Sequence, residues 1–451
     1  MRLDFQWREN LPLALPVIIG QIGHIAASVA DSMMVGALGT IPLAAVSLAS
    51  SIASVPLVFG IGMAYGLTPL VAHATGQKRP NKAVRLLKNA TLVNALTSLV
   101  LILFAWALFT GVQFTGQDPA VVDASRTYLW IVMLSYIPFM LYMSAKQYLE
   151  GLGDTKTPMR ISLYGNLGNI VLNAFLIYGW FFFPAWGMVG AGVATLLARC
   201  YMMVSSWWFV LRRGKADPGD WLAAKISAAP LRSLLKIGIP SGFQYIFEVS
   251  AFAASAWIIG TMGAKALAAH QVAISLASIS YMAATGMGAA ATIRIGQALG
   301  QKNVRGAQLA ASSLFALTVV FMLLTGLTFF SLREILPFAY TDDVEVVSAA
   351  AALLIVATVF QVSDGMQATA LGALRGLQDV RMPTAISFVA YYVVALPLEW
   401  YWGRVLGWGA VGVWSALAVG LTVSALWLTF RFYRLMYRRQ GKTAWGKPLT
   451  T

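Results

Sequence analysis

The sequence predicts an all-α polytopic membrane protein with twelve transmembrane helices in two six-helix lobes related by a parallel internal repeat, and three observations carry that prediction. The chain is 59% hydrophobic and only 11% charged, with a mean hydropathy of +0.71 over 451 residues, an apolar surplus well beyond what one soluble core absorbs. Stretches long enough to cross a bilayer as helices recur twelve times. The first half of the chain also matches the second with the same orientation in the membrane.

The spans fall at about residues 11–37, 44–72, 90–111, 127–149, 158–182 and 187–211, then 235–261, 268–296, 308–331, 347–373, 383–402 and 408–436. The N-terminal "MRLDFQWREN" has mixed charge and no small-residue cleavage site after it, so no cleaved signal is expected. Of the 32 Lys and Arg, 26 lie in the N-terminus, the even-numbered loops and the C-terminus. The odd-numbered loops hold only Arg126, Lys265, Arg333 and Arg404, while Lys146 and Arg199 fall inside spans. The net charge of +15 therefore reads as loop asymmetry and not as a nucleic-acid surface. The positive-inside rule places both termini in the cytoplasm. The single Cys200 excludes a disulfide within the chain.

Laid over one another at an offset of 224, residues 15–77 and 239–301 pair Leu15-Pro16 with Ile239-Pro240, Gly39 with Gly263, Gly62 with Gly286, Thr68 with Thr292 and Gly76-Gln77 with Gly300-Gln301. At an offset of 225, "EGLGDTKTP" matches "RGLQDVRMP". Six spans separate the copies, which gives the parallel case of repeated transporter architecture. The expected domains are an N-lobe at 1–211, a cytoplasmic linker at 212–234 with a short amphipathic helix, a C-lobe at 235–440 and a cytoplasmic tail at 441–451. The repeated glycines read as close helix packing. Pro16 and Pro240, early in spans 1 and 7, break the local hydrogen-bond ladder and are hinge candidates.

Four carboxylates interrupt the spans: Asp31, Glu248, Asp364 and Glu399. Each costs at least roughly 2.5 to 3.5 kcal/mol to insert, so the default reading is a working group facing a cavity. Glu399, beside "WYW" near a span end, is expected to reach the interface and is set aside. Asp31 ends the stripe Gln21, His24, Ser28, Asp31, spaced to share one helical face. Glu248 lies on the equivalent face of span 7 with Tyr245, Phe252 and Ser255, and Asp364 is flanked by Gln361 and Gln367. Asn169 and Asn173 share a face of span 5, and span 6 carries Thr195.

The repeat counterparts of Asn169, Asn173 and Thr195 are Val394, Leu398 and Leu417, and that of Asp364 is Phe139. A duplicated scaffold would have kept polar groups that only hold helices together, so this asymmetry favours function. A carboxylate, two amides and a hydroxyl suit a hard cation such as sodium, and a carboxylate in apolar surroundings also holds a proton readily. Either occupancy can be linked to lobe conformation and to a second ligand. Organic cations would seek the same carboxylates, with Tyr281, Phe252 and Tyr245 as cation–π faces.

His24 and His270 read as hydrogen-bonded core residues, and Arg199 needs a partner at depth. Methionines, 18 of them, suit adaptable packing and a promiscuous surface. No nucleotide loop, metal-ligand cluster or nucleophile elbow is visible, since "GMGAAATIRIG" lacks a GK[ST] ending. An enzyme is not expected, and neither is ATP-driven transport by this chain alone.

At "LALPVIIGQ", "VADSMMVGALG", "LAAHQVAIS", "GAAATIRIGQALG", "FQVSDGMQATALGALRGLQD" and "GLGDTKTP" the chain resembles the multidrug and toxic compound extrusion (MATE) family, especially its NorM-type bacterial members, over essentially its whole length. The resemblance implies a V-shaped, alternating-access exporter that exchanges cationic and aromatic drugs or dyes for sodium ions or protons. It also implies no cofactor beyond that coupling ion, no nucleic-acid partner, a bacterial inner membrane as host and a monomer. In the family's pattern Asp31 lines an N-lobe cation or proton site with Asn169, Asn173 and Thr195. Glu248, Tyr281 and Asp364 match the C-lobe site for cation or proton and substrate. Relatives commonly carry Asn where "AHQVAIS" ends in Ser275, which removes an amide near the C-lobe site. The alternative within the superfamily is a lipid-linked oligosaccharide flippase, which would need basic residues in its cavity to hold pyrophosphate. Outside the superfamily, a channel would show ion flux without counter-transport, and a scaffold would tolerate neutralising all three acids.

Overall fold

A computed structural model describes residues 3–112, 114, 116–180, 184–212 and 218–444. Among them there are only helices, turns and irregular segments. Twelve helices are long and apolar enough to cross a membrane, and each coincides with one of the expected spans. They are span 1 Gln6–Gly36, span 2 Thr40–Gly76, span 3 Pro80–Val112, span 4 Pro119–Gly151, span 5 Lys156–Tyr178 and span 6 Gly187–Arg212. The second set is span 7 Ala228–Gly260, span 8 Ala264–Gly300, span 9 Val304–Leu332, span 10 Val344–Gly376, span 11 Arg381–Val405 and span 12 Gly409–Gln440.

The repeat is visible in the backbone. Gly39 (φ 115) and Gly263 (φ 125) make the same turn between the first two spans of each set, in a region open to glycine and strained for other residues. Lys78 and Lys302 both adopt left-handed φ, at 54 and 60, just after the glycines that end spans 2 and 8. The turns after spans 4 and 10 also match, with Gly153 (φ 92) in one and Gln378 (φ 60) in the other.

Two compact units emerge. The N-unit comprises Ile19–Gly242, and the C-unit comprises Met1–Ile18 with Phe243–Thr451. The N-unit core gathers Leu129, Tyr136, Phe139, Met140 and Ile177. One C-unit core gathers Phe360, Tyr391 and Trp414, and another gathers Leu374 and Phe432 with Ala14 of span 1. The unit boundaries do not follow the loops. They cut spans 1 and 7 two residues after Pro16 and Pro240, the two prolines inside these helices at equivalent repeat positions.

Burial holds the exchanged pieces in place. In the C-unit, Asn10 is fully buried and donates to Ser313 Oγ at 3.3 Å, and Arg294 pairs with Glu9 and donates to Gln6 at 2.9 Å. A Cβ on Gly286 would sit 2.4 Å from Ile18 Cγ1. In the N-unit, a Cβ on Gly62, its repeat counterpart, would sit 2.6 Å from the carbonyl oxygen of Ser241 and 2.7 Å from Gly242 Cα. Both glycines thus permit a backbone approach that no larger residue allows.

The linker holds a short helix, Pro218–Ala223, docked on span 3 by Lys88 Nζ, which donates to Leu222 O at 2.8 Å and stands 5.2 Å from the Trp221 ring. Linker residues 213–217 and tail residues 445–451 lie outside the described residues.

Candidate ion-coupling sites

In the N-unit, the sequence-selected groups of spans 1, 5 and 6 converge. Asn173, fully buried on span 5, donates its side-chain N–H to Asp31 Oδ1. Asn169, one turn earlier and 6% exposed, donates to the same oxygen at 2.8 Å once its amide is oriented by its neighbours, and its oxygen accepts from the backbone N–H of Thr195 at 3.2 Å. The Thr195 hydroxyl donates to Ala191 O on its own helix at 3.1 Å. The result is a carboxylate clasped by two amide donors, a geometry that satisfies negative charge.

The amide carbonyls point away from Asp31, and Asn173 Oδ1 is a buried acceptor without a partner. Turning this amide over would add an oxygen ligand beside Asp31. Of the rest of the stripe, Gln21 is half-buried and His24 and Ser28 are exposed. Arg199 donates to Ser135 Oγ at 2.7 Å, stacks 4.8 Å from the Phe139 ring and interacts electrostatically with Asp31. Its contacts on span 4 are a hydroxyl and a ring, and the charge that acts on it is Asp31 of span 1.

In the C-unit, Tyr281 of span 8 donates its hydroxyl to Glu248 of span 7. Glu248 and Asp364 are 7% and 5% exposed and interact electrostatically. Like charges side by side repel when both are ionised, so a proton or cation between them relieves the repulsion. Arg375 also acts on Glu248 and stands 6.0 Å from the Tyr245 ring, a cation that span lengths alone had assigned to the loop. Gln361 and Gln367 are committed elsewhere: one donates to Ser280 Oγ at 2.7 Å and the other to Tyr391. His270 is buried, and its Nδ1 accepts from Trp414 at 3.0 Å. Glu399, expected at the interface, is fully buried. Among the described residues no three His, Cys, Asp or Glu side chains are grouped to hold a metal ion. A sodium ion would therefore depend on amide, hydroxyl or backbone oxygens in addition to one or two carboxylates.

Residues 16–175 and 240–401, one stretch in each half, match the MatE family. The chain belongs to it. The multidrug resistance protein NorM of Photobacterium profundum is 32% identical over 431 residues, covering 94% of both chains. Among solved structures, an outward-facing multidrug resistance MATE family transporter of the MOP superfamily aligns with a TM-score of 0.88 at 19% identity over 97% of each chain. The eukaryotic MATE transporter AtDTX14 aligns with a TM-score of 0.85 at 20% identity over 98% of this chain and 99% of its own. At such identities these structures establish the fold. A MatE chain of twelve membrane helices is a multi-pass membrane transporter and not an enzyme.

Proposed function

We propose that this MatE protein is a secondary active multidrug exporter that expels cationic and aromatic compounds in exchange for sodium ions or protons by alternating access. The observation that carries the reading is the clasp of Asn169 and Asn173 on Asp31, a half-buried ionisable site whose acid and paired amides do not recur in the second half. The likeness to NorM, a multidrug resistance protein, supports the substrate class.

The external cation loads on Asp31, either as a proton that displaces one amide donor or as a sodium ion that draws an amide oxygen inward. Glu248, Tyr281 and Asp364 bind cation or drug in the C-unit, and Tyr245 and Phe252 offer aromatic faces. Ion and drug must prefer different conformations or compete directly, because a ligand with equal affinity for both states shifts nothing. Pro16 and Pro240 serve as hinges, since each lies where its helix passes from one compact unit to the other. The protein sits in the inner membrane with both termini in the cytoplasm, acts as a monomer and divides functionally into the two repeat lobes.

The test uses purified protein in liposomes loaded with ethidium, with inward sodium and proton gradients imposed in turn. Efflux driven by one gradient and lost in Asp31→Asn establishes antiport and names the ion. Folded protein that moves no cationic dye under either gradient discards the multidrug reading in favour of lipid-linked oligosaccharide transport.

A further inference from the structure

Span 11 departs from α-helical winding at two places. Arg381–Phe388 is α-helical, Val389–Ala395 is π-helical, Leu396–Trp400 is α-helical and Tyr401–Val405 is π-helical again. The backbone N–H of Leu396 reaches Tyr391 O, and that of Leu406 reaches Tyr401 O at 2.9 Å. Pro397 supplies a local cause, because it has no N–H and its ring crowds the carbonyl one turn back. Interruptions of this kind recur at functional sites.

The first π-helical turn resets the repeat. Before it, span 11 follows span 5 at an offset of 225, which places Leu398 opposite Asn173. A turn closed by an i→i+5 bond contains one residue more than an α-turn, so beyond it the counterpart of Asn173 is Glu399. The counterpart of Asp31 on span 7 is Ser255. In the N-unit, an acid on the first span meets an amide on the fifth. In the C-unit, the acid has crossed to the fifth span of the set, and a hydroxyl waits on the first.

The surroundings of Glu399 do not suit a fixed negative charge. It is fully buried, and neither carboxyl oxygen is in hydrogen-bond geometry with any donor. Ser255, 1% exposed, is the polar side chain that acts on it, yet its hydroxyl proton is given to Ala251 O at 3.1 Å. With its hydroxyl bonded to Ala251 O on its own helix, Ser255 Oγ keeps lone pairs that accept an O–H from a protonated Glu399. The other titratable groups on the surrounding elements are committed or distant. Tyr391 accepts from Gln367, Arg404 donates to Thr261 O at 3.4 Å and stands 5.8 Å from the Trp400 ring, Glu248 accepts from Tyr281, and His270 accepts from Trp414. Tyr401 is exposed, and span 12 has no titratable side chain before Arg431. Among the described residues no charged group acts on Glu399.

We infer that Glu399 and Ser255 form a proton-binding site in the C-unit, separate from the group of Glu248, Tyr281 and Asp364. In the dry state the carboxylic acid donates its proton to Ser255 Oγ. When water reaches the pair, the proton leaves to solvent and the carboxylate remains.

Infrared difference spectra of the purified full-length protein between acid and alkaline pH test this without any transport assay, so the outcome is independent of the exporter reading. Wild type is expected to show a protonated-carboxyl C=O band that Glu399→Gln lacks and that Ser255→Ala shifts, because the acceptor is gone. Superimposable wild-type and Glu399→Gln spectra overturn the site. Should Glu399→Gln fail to fold, Ser255→Ala decides, and an unshifted band there overturns it.

Discussion

Asn173 on span 5 places its amide N–H on the carboxylate of Asp31 on span 1, and Asn169 places a second N–H on the same oxygen. Two donors on one half-buried carboxylate, with the Asn169 oxygen accepting from Thr195 N–H of span 6, tie three helices of the N-unit to the charge state of a single group. Hydrogen bonds to a charged group contribute about 1.5 to 3 kcal/mol each. Asn173→Ala should therefore lower the midpoint of thermal unfolding in detergent and raise the ion concentration needed for half-maximal efflux. An unchanged ion dependence would separate Asn173 from the coupling path.

Tyr281→Phe removes the hydroxyl that donates to Glu248 while keeping the ring. The loss of one charge-assisted bond is expected to destabilise the C-unit by about 1.5 to 3 kcal/mol. It should also weaken drug or ion binding there more than at Asp31. Binding titrations of a fluorescent cation to wild type, Tyr281→Phe and Asn173→Ala distinguish the two sites, and equal effects in both variants would argue against separate roles.

Arg199 rests on the Phe139 ring and on Ser135. A desolvated cation–π contact is worth about 2 kcal/mol or more, so Arg199→Leu should unfold at lower temperature. Arg199→Lys keeps the charge that acts on Asp31 and loses the planar stack, so gradient-driven efflux should survive better in Lys than in Leu. If the two variants transport alike, the charge is not what matters.

Gly62→Val and Gly286→Val insert side chains where a Cβ alone would already meet backbone atoms or Ile18 at 2.4 to 2.6 Å. Overpacking of this kind costs about 1 to 3 kcal/mol, and the repeat predicts similar losses at both positions. Gly168→Ala is the control, because a Cβ there meets nothing within 4 Å. Differential scanning of the three variants reads the comparison directly.

Much of this was legible in the sequence for a physical reason. A bilayer requires long apolar helices, so span positions follow from composition, and helical spacing puts Asn169 beside Asn173, while their grouping with Asp31 was what the family resemblance implied. Glu399 was misread because neighbouring Trp and Tyr suggested an interfacial end, whereas the π-helical turn ahead of it resets the register and the acid is buried. Arg375 was assigned to a loop because span lengths do not reveal how far a guanidinium reaches back along its helix. The partners of Arg199 were hidden because a hydroxyl and a ring carry no charge signature. The split of spans 1 and 7 was invisible to periodicity, since an apolar helix face does not say which neighbour covers it.

That split makes the two halves of the chain interdependent. Each six-span copy gives up the first part of its leading helix and receives the corresponding part from the other copy. A single six-span copy taken alone lacks the helix segment that completes its unit. Two halves cut apart between the repeats would have to trade their N-terminal segments, as a domain-swapped pair does, before either unit closed.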